Sequence, residues 1–354
     1  TLWLPDTFGY AWALPQILRK SGISTFATQK LTWNDTNAFP HGHFFWEGVD
    51  GTRVRCTFPP VYVSRTYPEE IMGFYGKYPS KDVVPAMLYP YGYGDGGGGP
   101  VPEDVEIGMR LGEMPGFPRC HISKVEDAIR SINNRADEIA ATFGRTIPIW
   151  RGELYFEYHR GTLTSNARTK RYNRRCEMKL REAEIWSSLA AIGVGSQYPA
   201  EQLEQSWKKM LLNQFHDILP GTSIPEVYPE AYAGYEECLR EAETVCIDAL
   251  QALSENASAG ETFSVVNSLA WDVCDYVEVD VGASSPFRII DSSGDEVPYQ
   301  FVGVSDSGTN RIGIEATVPA LGATTYRVSE GAPTSHDAIS GAADTLENDR
   351  LSVR

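Results

Sequence analysis

Asp6 stands in sequence surroundings that suit chemistry at the end of a strand. Residues 3–10 read WLPDTFGY, an apolar run that ends in the aspartate and is followed by an aromatic residue and a glycine. An aspartate at a strand end can project from the carboxyl edge of a sheet into a cleft, where α/β proteins place their ligands. The alternative is that Asp6 caps a helix over residues 11–20, and the local pattern by itself favours this cap.

A second aspartate, Asp95, lies in the glycine-rich segment 91–100, YGYGDGGGGP. Consecutive glycines expose the backbone and permit the close approach of a ligand. The segment lacks GxGxxG spacing and has no Lys-Ser or Lys-Thr pair for phosphate, so a nucleotide loop is not indicated. The alternative interpretation is a flexible surface turn.

The pair His216-Asp217 follows an apolar helical pattern. A neutral imidazole nitrogen is a common metal ligand, and oxygen atoms nearby fix its orientation. The alternative is a histidine at a helix end that satisfies free carbonyl groups. Two further histidines, His41 and His43, could chelate a metal from one face of a strand. Its aromatic-rich surroundings favour a structural role instead.

The segment 152–161, GELYFEYHRG, concentrates aromatic, acidic and basic residues and includes His159. Aromatic faces beside charged hydrogen-bonding groups are typical of sugar recognition. The same density of side chains could serve a domain interface.

Composition limits the class of partner. The 354 residues include 47 acidic and 31 basic side chains, a formal charge of −16 that repels phosphate backbones and argues against nucleic acid. No apolar run is long enough to predict a membrane span. The six cysteines are scattered without a CxxC pair, which favours free thiols in a reducing compartment and a cytoplasmic location.

Hydrophobic periodicity divides the chain into three parts, as expected for this length. The first, residues 1–155, mixes short apolar runs with turn residues and has one helical stretch near 124–143, which indicates α/β structure. In the second, residues 156–257, helices over 165–192, from Pro199 into 213–217, and over 228–250 predict an antiparallel three-helix bundle. In the third, residues 262–354, alternation around 277–281 and 312–318 predicts the start of a β-sandwich. The fold class is therefore multidomain α/β, α and β.

Several long motifs, in order, resemble glycoside hydrolase family 38, the α-mannosidases, and more closely its cytosolic, vacuolar and bacterial branch. The motifs are WLPDTFGY at 3–10, LPQIL at 14–18, TQKLTWN at 28–34, FFWEGVDGT at 44–52, GDGGGGP at 94–100, GELYFE at 152–157, HRGT at 159–162 and LLNQFHDILPGTS at 211–223. The resemblance implies a partial (β/α) glycosidase catalytic domain followed by a helix bundle and β-sandwich modules.

The same resemblance implies roles for particular residues. Asp6 is expected to be the catalytic nucleophile and a zinc ligand, His216 a second ligand, and Asp95 the acid/base. The residues expected to line the sugar subsite are Phe8, Trp33, Asp217 and His159. A retaining glycosidase needs one ionised carboxylate to attack the anomeric carbon and one protonated carboxyl group to protonate the leaving oxygen. A metal can grip the 2- and 3-hydroxyls of the sugar, which would select mannose by its axial 2-hydroxyl.

The expected function is hydrolysis of terminal α-mannose from oligosaccharides, with zinc, or alternatively cobalt, as cofactor. Family members carry a His-x-Asp pair upstream of the nucleophile, and the sequence opens at Thr1, so this chain in isolation is expected to be inactive or metal-poor. A chain cut at its C-terminal end as well is expected, because roughly 90 residues after the helices are too few for the whole of a large sandwich. Vacuolar or lysosomal location and homo-oligomer formation stay open. The alternatives are a catalytically incomplete scaffold or carbohydrate-binding protein, and a metal-dependent phosphoester hydrolase.

Overall fold

The computed structural model describes residues 1–95, 97–254, 261–283, 286–306, 308–334, 340–342, 344–347 and 351–354. Gly96 of the glycine-rich segment and residue 257, the predicted end of the second part, lie outside the described residues. Residue contacts divide the chain into two units: residues 1–173 with 211–233, and residues 174–210 with 234–354. Each unit is considered by itself.

The first unit is built on a five-stranded sheet. Its strands and helices, in chain order, are β1 Leu2–Trp3, α1 Leu14–Lys20, β2 Thr25–Ala27, a 3-10 helix Lys30–Trp33, β3 His43–Glu47, β4 Arg53–Thr57, α2 Pro68–Lys77, α3 Pro102–Leu111, α4 Val125–Phe143 and β5 Ile149–Arg151. The strand order is β1-β2-β4-β3-β5, with β1, β2 and β4 parallel to one another and β3 antiparallel to β4. The predicted α/β character and the helix near 124–143 are confirmed.

Two apolar clusters fix this sheet. Phe26, Phe44 and Trp46 are fully buried in one of them. In the other, Ile129 and Ile132 of the amphipathic helix α4 are buried among apolar residues that include Ala27 of β2. Burial of such side chains stabilises the fold by about 1.5–3 kcal/mol each. The short strands are therefore held in place by the apolar side chains of these two clusters.

Three long helices follow: α5 Ala167–Val194, α6 Ala200–Leu212 and α7 Val227–Ser254. The predicted apolar stripes are buried in α5 and α7, at positions that include Cys176, Leu180 and Ala183, and Tyr235 and Cys238. The prediction that the second helix continues into residues 213–217 is wrong. The amide of Gln214 bonds to the carbonyl of Leu211, an i−3 bond that tightens the last turn and ends the helix.

The prediction that Asp6 caps a helix over 11–20 is also wrong. Helix α1 begins at Leu14, and its N-cap position, Ala13, has no side-chain hydrogen bond. Tyr10 instead pairs through its backbone with Leu154 in an isolated antiparallel bridge. This pairing holds the chain after Asp6 in a non-helical path.

The second unit contains the C-terminal strands β6 Thr262–Asn267, β7 Val273–Val281, β8 Phe287–Ile290, β9 Glu296–Val297, β10 Tyr299–Val304, β11 Asn310–Val318, β12 Gly322–Glu330, β13 Ser340–Ala342, β14 Thr345–Glu347 and β15 Ser352–Val353. Sheets ordered β10-β11-β7 and β6-β12-β8-β9 contribute to one apolar cluster, with Ile312 and Ile314 of β11 and Ile289 of β8 at its centre. The strands predicted from alternation at 277–281 and 312–318 are confirmed. None of the described helices is both long and apolar enough to cross a bilayer.

Candidate active site

The loop that carries Asp6 and Phe8 is braced at both ends. The Tyr10 hydroxyl lies 2.8 Å from the carbonyl oxygen of Leu4 and 2.6 Å from Thr28 Oγ1. Burial raises the pKa of Tyr10 well above its ordinary value, so the hydroxyl stays protonated and able to donate. Tyr10 and Leu154 exchange backbone hydrogen bonds of 2.9 and 3.0 Å. The loop is therefore attached to Thr28, which follows β2, and to Leu154, which follows β5.

Gly9 makes this attachment sterically feasible. Its φ is +108°, a conformation that L side chains rarely adopt. A Cβ at this position would lie 3.3 Å from the carbonyl oxygen of Leu154. The glycine after Phe8 is thus required by both backbone conformation and close approach.

Three parallel strands deliver polar side chains to one edge of the sheet. Asp6 follows β1, Lys30 follows β2 and Tyr62 follows β4. The carboxyl ends of parallel strands meet at the same edge, which is where α/β proteins bind ligands. The Lys30 ammonium lies 3.4 Å from the Tyr62 hydroxyl and 2.5 Å from Asp6 Oδ1.

The two carboxylate oxygens of Asp6 have different surroundings. Oδ1 is buried against Lys30, which is itself 5% exposed. Oδ2 lies 3.2 Å from His216 Nε2, and the side chain as a whole is 22% exposed. The carboxylate thus has a buried side occupied by a cation and an accessible side that faces an imidazole.

Aromatic rings form one wall of the site. The Phe8 ring meets His159 edge to face at 4.5 Å, His216 at 6.1 Å, and stacks on Phe156 at 5.8 Å. The Phe215 ring lies 4.1 Å from that of His216. The structure therefore gathers Phe8, His159 and His216 around Asp6, as expected from the sequence.

Trp33 lies on the other side of Lys30. The ammonium lies 3.8 Å from the centroid of the Trp33 ring and 5.1 Å from that of Tyr62, within the range of a cation–π contact. The Trp33 ring also meets Tyr158 edge to face at 6.1 Å, and both aromatic side chains are substantially exposed. An exposed aromatic pair next to a carboxylate is suited to contact with the apolar face of a sugar.

Two hydrogen-bonded residues tie the Trp33 segment to the His159 segment. Glu157 accepts hydrogen bonds from the backbone amides of Thr36 at 2.9 Å and Asn37 at 3.0 Å. Asn34 accepts a hydrogen bond of 2.9 Å from the Glu157 amide. The hydrogen bonds from Asn37 and Thr36 lower the pKa of Glu157 to about 2, so this buried carboxylate stays charged.

Asp217 contributes to a turn as well as facing the site. Its backbone oxygen accepts hydrogen bonds from Thr222 and Ser223, and its Oδ1 accepts one of 2.8 Å from the Thr222 hydroxyl. Its Oδ2 lies 3.7 Å from His216 Nε2. These bonds fix the turn that presents His216, which lies in the turns after α6 and not in the helix.

Asp95 has a different setting. It is exposed and adopts a left-handed backbone conformation, with φ of +45°. Burial raises the pKa of Tyr62, and the charges of Asp6 and Asp95 add to the rise while Lys30 opposes it. Asp95 is therefore near enough to act electrostatically on the tyrosine that contacts Lys30.

Glycines close the Asp95 loop tightly. The amide of Tyr93 donates to the carbonyl of Gly99 at 3.1 Å. Gly92 has φ of +117°, and a Cβ there would lie 2.7 Å from the nitrogen of Pro100. Gly92 therefore serves the turn geometry of this loop, which agrees with the surface-turn interpretation and leaves a catalytic role for the aspartate open.

The Asp6–His216 pair has the spacing of two ligands of one zinc ion. Zinc–oxygen and zinc–nitrogen bonds of about 2.0–2.2 Å at a tetrahedral angle place two donor atoms about 3.3 Å apart. The observed separation of 3.2 Å between Asp6 Oδ2 and His216 Nε2 agrees with this. Within the described ranges no group of three or more His, Cys, Asp or Glu residues could hold a metal ion. The pair therefore fits two corners of a site and does not complete one.

The His41 and His43 pair shows no chelating arrangement. His43 is fully buried in β3, its Nδ1 lies 3.2 Å from Thr57 Oγ1, and burial lowers its pKa to about 4. The His41 ring packs 5.8 Å from that of Phe44. Their surroundings agree with the structural role that the sequence favoured.

Sequence reasoning assigned no role to Lys30, Tyr62, Tyr158 or Glu157. Lys30 and Glu157 lie inside motifs that carry the family resemblance, TQKLTWN and GELYFE, so the motifs held a usable signal. A lysine in an apolar stretch next to a strand end needs a negative partner when buried. Tyr158 lies in the aromatic-rich segment 152–161 that the sequence singled out, whereas Tyr62 is identified only by tertiary contact.

Comparison with known families gives two matches along the chain. Residues 1–153 match the glycosyl hydrolases family 38 N-terminal domain, and residues 157–253 match the alpha mannosidase middle domain. Together these ranges contain Asp6, Lys30, Asp95, His159 and His216.

Individual proteins show the same relationship. The chain is 39% identical to alpha-mannosidase 2C1 of Homo sapiens over 272 residues, 76% of this chain and 25% of that protein. It is 37% identical to an alpha-mannosidase of Saccharomyces cerevisiae over 264 residues, 73% of this chain and 24% of that protein. The chain thus spans about a quarter of the length of these curated relatives.

Among solved structures, an alpha-mannosidase from Enterococcus faecalis V583 matches with a TM-score of 0.70 at 17% identity, covering 99% of this chain and 46% of that one. At this identity the match shows a shared fold.

Proposed function

This chain belongs to glycosyl hydrolase family 38, and on that premise we propose that it takes part in the hydrolysis of terminal, non-reducing α-D-mannose from oligosaccharides. The observation that carries the proposal is the contact of Asp6 with His216 beside Phe8, His159 and Trp33. A carboxylate, a metal-type imidazole and a wall of aromatic rings are what a metal-assisted sugar site requires.

The proposed reaction is a retaining double displacement. The Asp6 carboxylate attacks the anomeric carbon while Asp95 gives its proton to the departing oxygen, and a glycosyl-enzyme forms. Asp95 then takes a proton from a water molecule that attacks the same carbon, and the Asp6 carboxylate leaves.

Zinc, or alternatively cobalt, is the proposed cofactor, held on this chain by Asp6 and His216. When bound, the ion would act as a Lewis acid that grips sugar hydroxyls and favours a distorted ring. The residues proposed to line the sugar subsite are Phe8, Trp33, Asp217 and His159. Asp217 would accept hydrogen bonds from sugar hydroxyls through Oδ2, because its Oδ1 already accepts one from Thr222.

The finer architecture is part of the same proposal. We infer an α/β catalytic part over 1–155, a three-helix bundle over 156–257 and the beginning of a β-sandwich over 262–354. The two family matches, at 1–153 and 157–253, support the first two divisions. The predictions of a cytoplasmic location and of a homo-oligomer stand as proposals.

The test uses the protein in its full natural length with an aryl α-mannoside. Proton NMR of the first product is expected to show the α-anomer, and a fluorinated mannosyl fluoride that stalls the glycosyl-enzyme is expected to label the peptide containing Asp6. Chelator treatment is expected to abolish turnover, and added zinc to restore it. Formation of the β-anomer, or label on another carboxylate, would refute the mechanism.

The same experiment separates the alternatives. Mannoside binding without turnover would identify a carbohydrate-binding or scaffold protein. Turnover of an aryl phosphate but not of the mannoside would identify a phosphoester hydrolase.

A further inference from the structure

Lys30 is an almost fully buried cation with an unusual set of neighbours. Its ammonium lies 2.5 Å from Asp6 Oδ1, 3.8 Å from the Trp33 ring centroid and 3.4 Å from the Tyr62 hydroxyl. A buried ammonium is costly unless it is paired, and Asp6 is the carboxylate that pairs with it. The Lys30–Asp6 ion pair is therefore a built feature of the site.

The geometry also separates the two oxygens of Asp6. Oδ1 is buried and, among the described residues, has no regular hydrogen bond, so Lys30 is its charge partner. Oδ2 is the accessible oxygen and faces His216. Because Oδ2 and His216 are the proposed donors to the metal, the ion and the sugar would both meet the carboxylate on this side, opposite the Lys30 ammonium.

We propose that Lys30 is an electrostatic catalyst of the second chemical step, the release of the Asp6 carboxylate from the glycosyl-enzyme. This inference rests on the proposed function. It assigns a role to a residue beyond the nucleophile, the acid/base, the metal ligands and the sugar contacts already described.

In this second step, water replaces Asp6 at the anomeric carbon. The oxygen of a water molecule forms a bond to the anomeric carbon, and its proton passes to Asp95. The bond from Asp6 Oδ2 to the anomeric carbon breaks, and its electron pair returns to the carboxylate. Negative charge thus reappears on a group whose other oxygen already lies 2.5 Å from the Lys30 ammonium.

The positive charge of Lys30 affects the rates of the two chemical steps in opposite directions. In the first step the carboxylate loses negative charge as it bonds to the sugar, so a nearby cation opposes the change. In the second step negative charge develops, and a fixed cation in a water-poor setting stabilises the transition state. Removal of Lys30 should therefore slow the second step and leave the first step unchanged or faster.

The test compares Lys30→Met, Lys30→Gln and Lys30→Arg in the protein at full natural length, with an aryl α-mannoside that has a good leaving group. For the two neutral variants kcat is expected to fall about 10²-fold, as for the loss of one preorganised charge-stabilising group. KM should fall with it, so that kcat/KM, which reports the first step, changes less than about threefold. Lys30→Arg, which keeps the charge, is expected to recover most of kcat.

Intact-mass spectrometry of enzyme quenched during turnover gives a second readout. The fraction carrying one mannosyl group is expected to rise in Lys30→Met and Lys30→Gln above that in the wild type and in Lys30→Arg. Lys208→Met, which removes an exposed lysine paired with Glu204, is the matched control and should behave as wild type. If Lys30→Met does not fold, Lys30→Gln, which is neutral but polar, carries the comparison. If both neutral variants unfold while Lys30→Arg folds with wild-type kinetics, the role is structural and the proposal is overturned.

Two results distinguish failure of this inference from failure of the function. If wild-type protein hydrolyses the mannoside but kcat/KM of the neutral variants falls as far as kcat, with no covalent species, Lys30 has only a structural or binding role. If the wild type does not hydrolyse the mannoside, the proposed function fails and the role of Lys30 fails with it.

Discussion

The two aspartates proposed for catalysis lie in contrasting environments. Asp6 is on a loop braced by Tyr10, Thr28 and Leu154, with a buried cation on one oxygen and an imidazole on the other. Asp95 is exposed, in a left-handed conformation within a glycine turn. A nucleophile must be held at one position and kept charged, whereas an acid/base must exchange protons with water. Substitutions at the two positions should therefore differ in their effect on stability as well as on activity.

The largest effect is expected from Asp6→Asn. Turnover should fall by about 10⁴-fold or more, because the attacking carboxylate is lost. The free energy of unfolding should also fall, by about 1–3 kcal/mol, because Lys30 is left as a buried charge without its partner. Measurement of kcat and of urea unfolding tests both. Asp127→Asn, on the exposed face of α4, is the control, and an unchanged stability of Asp6→Asn would show that the Lys30 pair is not a structural contact.

Asp95→Asn should lower the rate of hydrolysis and leave the stability of the fold nearly unchanged. With a poor leaving group the rate should fall by about 10²–10⁴-fold, because general acid catalysis is lost. The free energy of unfolding should change by less than about 0.5 kcal/mol, because the residue is exposed and asparagine tolerates the left-handed conformation. Rates with aryl mannosides of graded leaving-group ability, alongside unfolding curves, give the measurement. A loss of stability as large as that of Asp6→Asn would show that Asp95, like Asp6, makes contacts that stabilise the fold.

A smaller effect on activity is expected from Glu157→Gln, which weakens the hydrogen bonds that hold the segment after Trp33. KM should rise by about three- to tenfold with less change in kcat, because Glu157 holds the backbone of Thr36 and Asn37 through hydrogen bonds. The pKa of Glu157 in the folded protein, about 2, is below its ordinary value of 4.5. Its stabilising contribution is therefore present above pH 4.5 and is lost as the pH falls towards 2.

The melting temperatures of wild type and Glu157→Gln should accordingly differ most at neutral pH and converge between pH 4.5 and 2. Glu153→Gln serves as the control. A difference that does not depend on pH would mean that the charge of Glu157 is not what holds the segment.

The smallest effect on activity is expected from Gly9→Ala. A Cβ would adopt an unfavourable φ and approach the carbonyl oxygen of Leu154 at 3.3 Å, at a cost of about 1–3 kcal/mol. Gly22→Ala is the matched control, since Gly22 also has a positive φ but nothing within 4 Å of the added carbon. Both variants should lose stability in thermal unfolding, and Gly9→Ala alone should lower kcat/KM. Equal kinetics for the two variants would show that the Asp6 loop tolerates displacement.

The sequence predicted elements best where one apolar period ran for several turns. The helices at 124–143, 165–192 and 228–250 and the strands at 277–281 and 312–318 were confirmed because a long repeat specifies one buried face. The second helix was extended too far, into residues 213–217, because the i−3 hydrogen bonds that end it are not visible in a residue pattern. The helix cap at Asp6 was wrong because the cap preference is local, whereas the bridge between Tyr10 and Leu154 joins segments far apart in sequence.

By itself, the sequence determined the family, the order of α/β, helical and β segments, and a set of residue types suited to sugar chemistry. Motifs such as WLPDTFGY and NQFHD are read along the chain and need no knowledge of what lies beside them. Only the tertiary structure decided that Asp6 meets Lys30 on one oxygen and His216 on the other, since these residues come from segments 24 and 210 positions away. Their electrostatics depend on distance and burial, which packing sets and residue order does not.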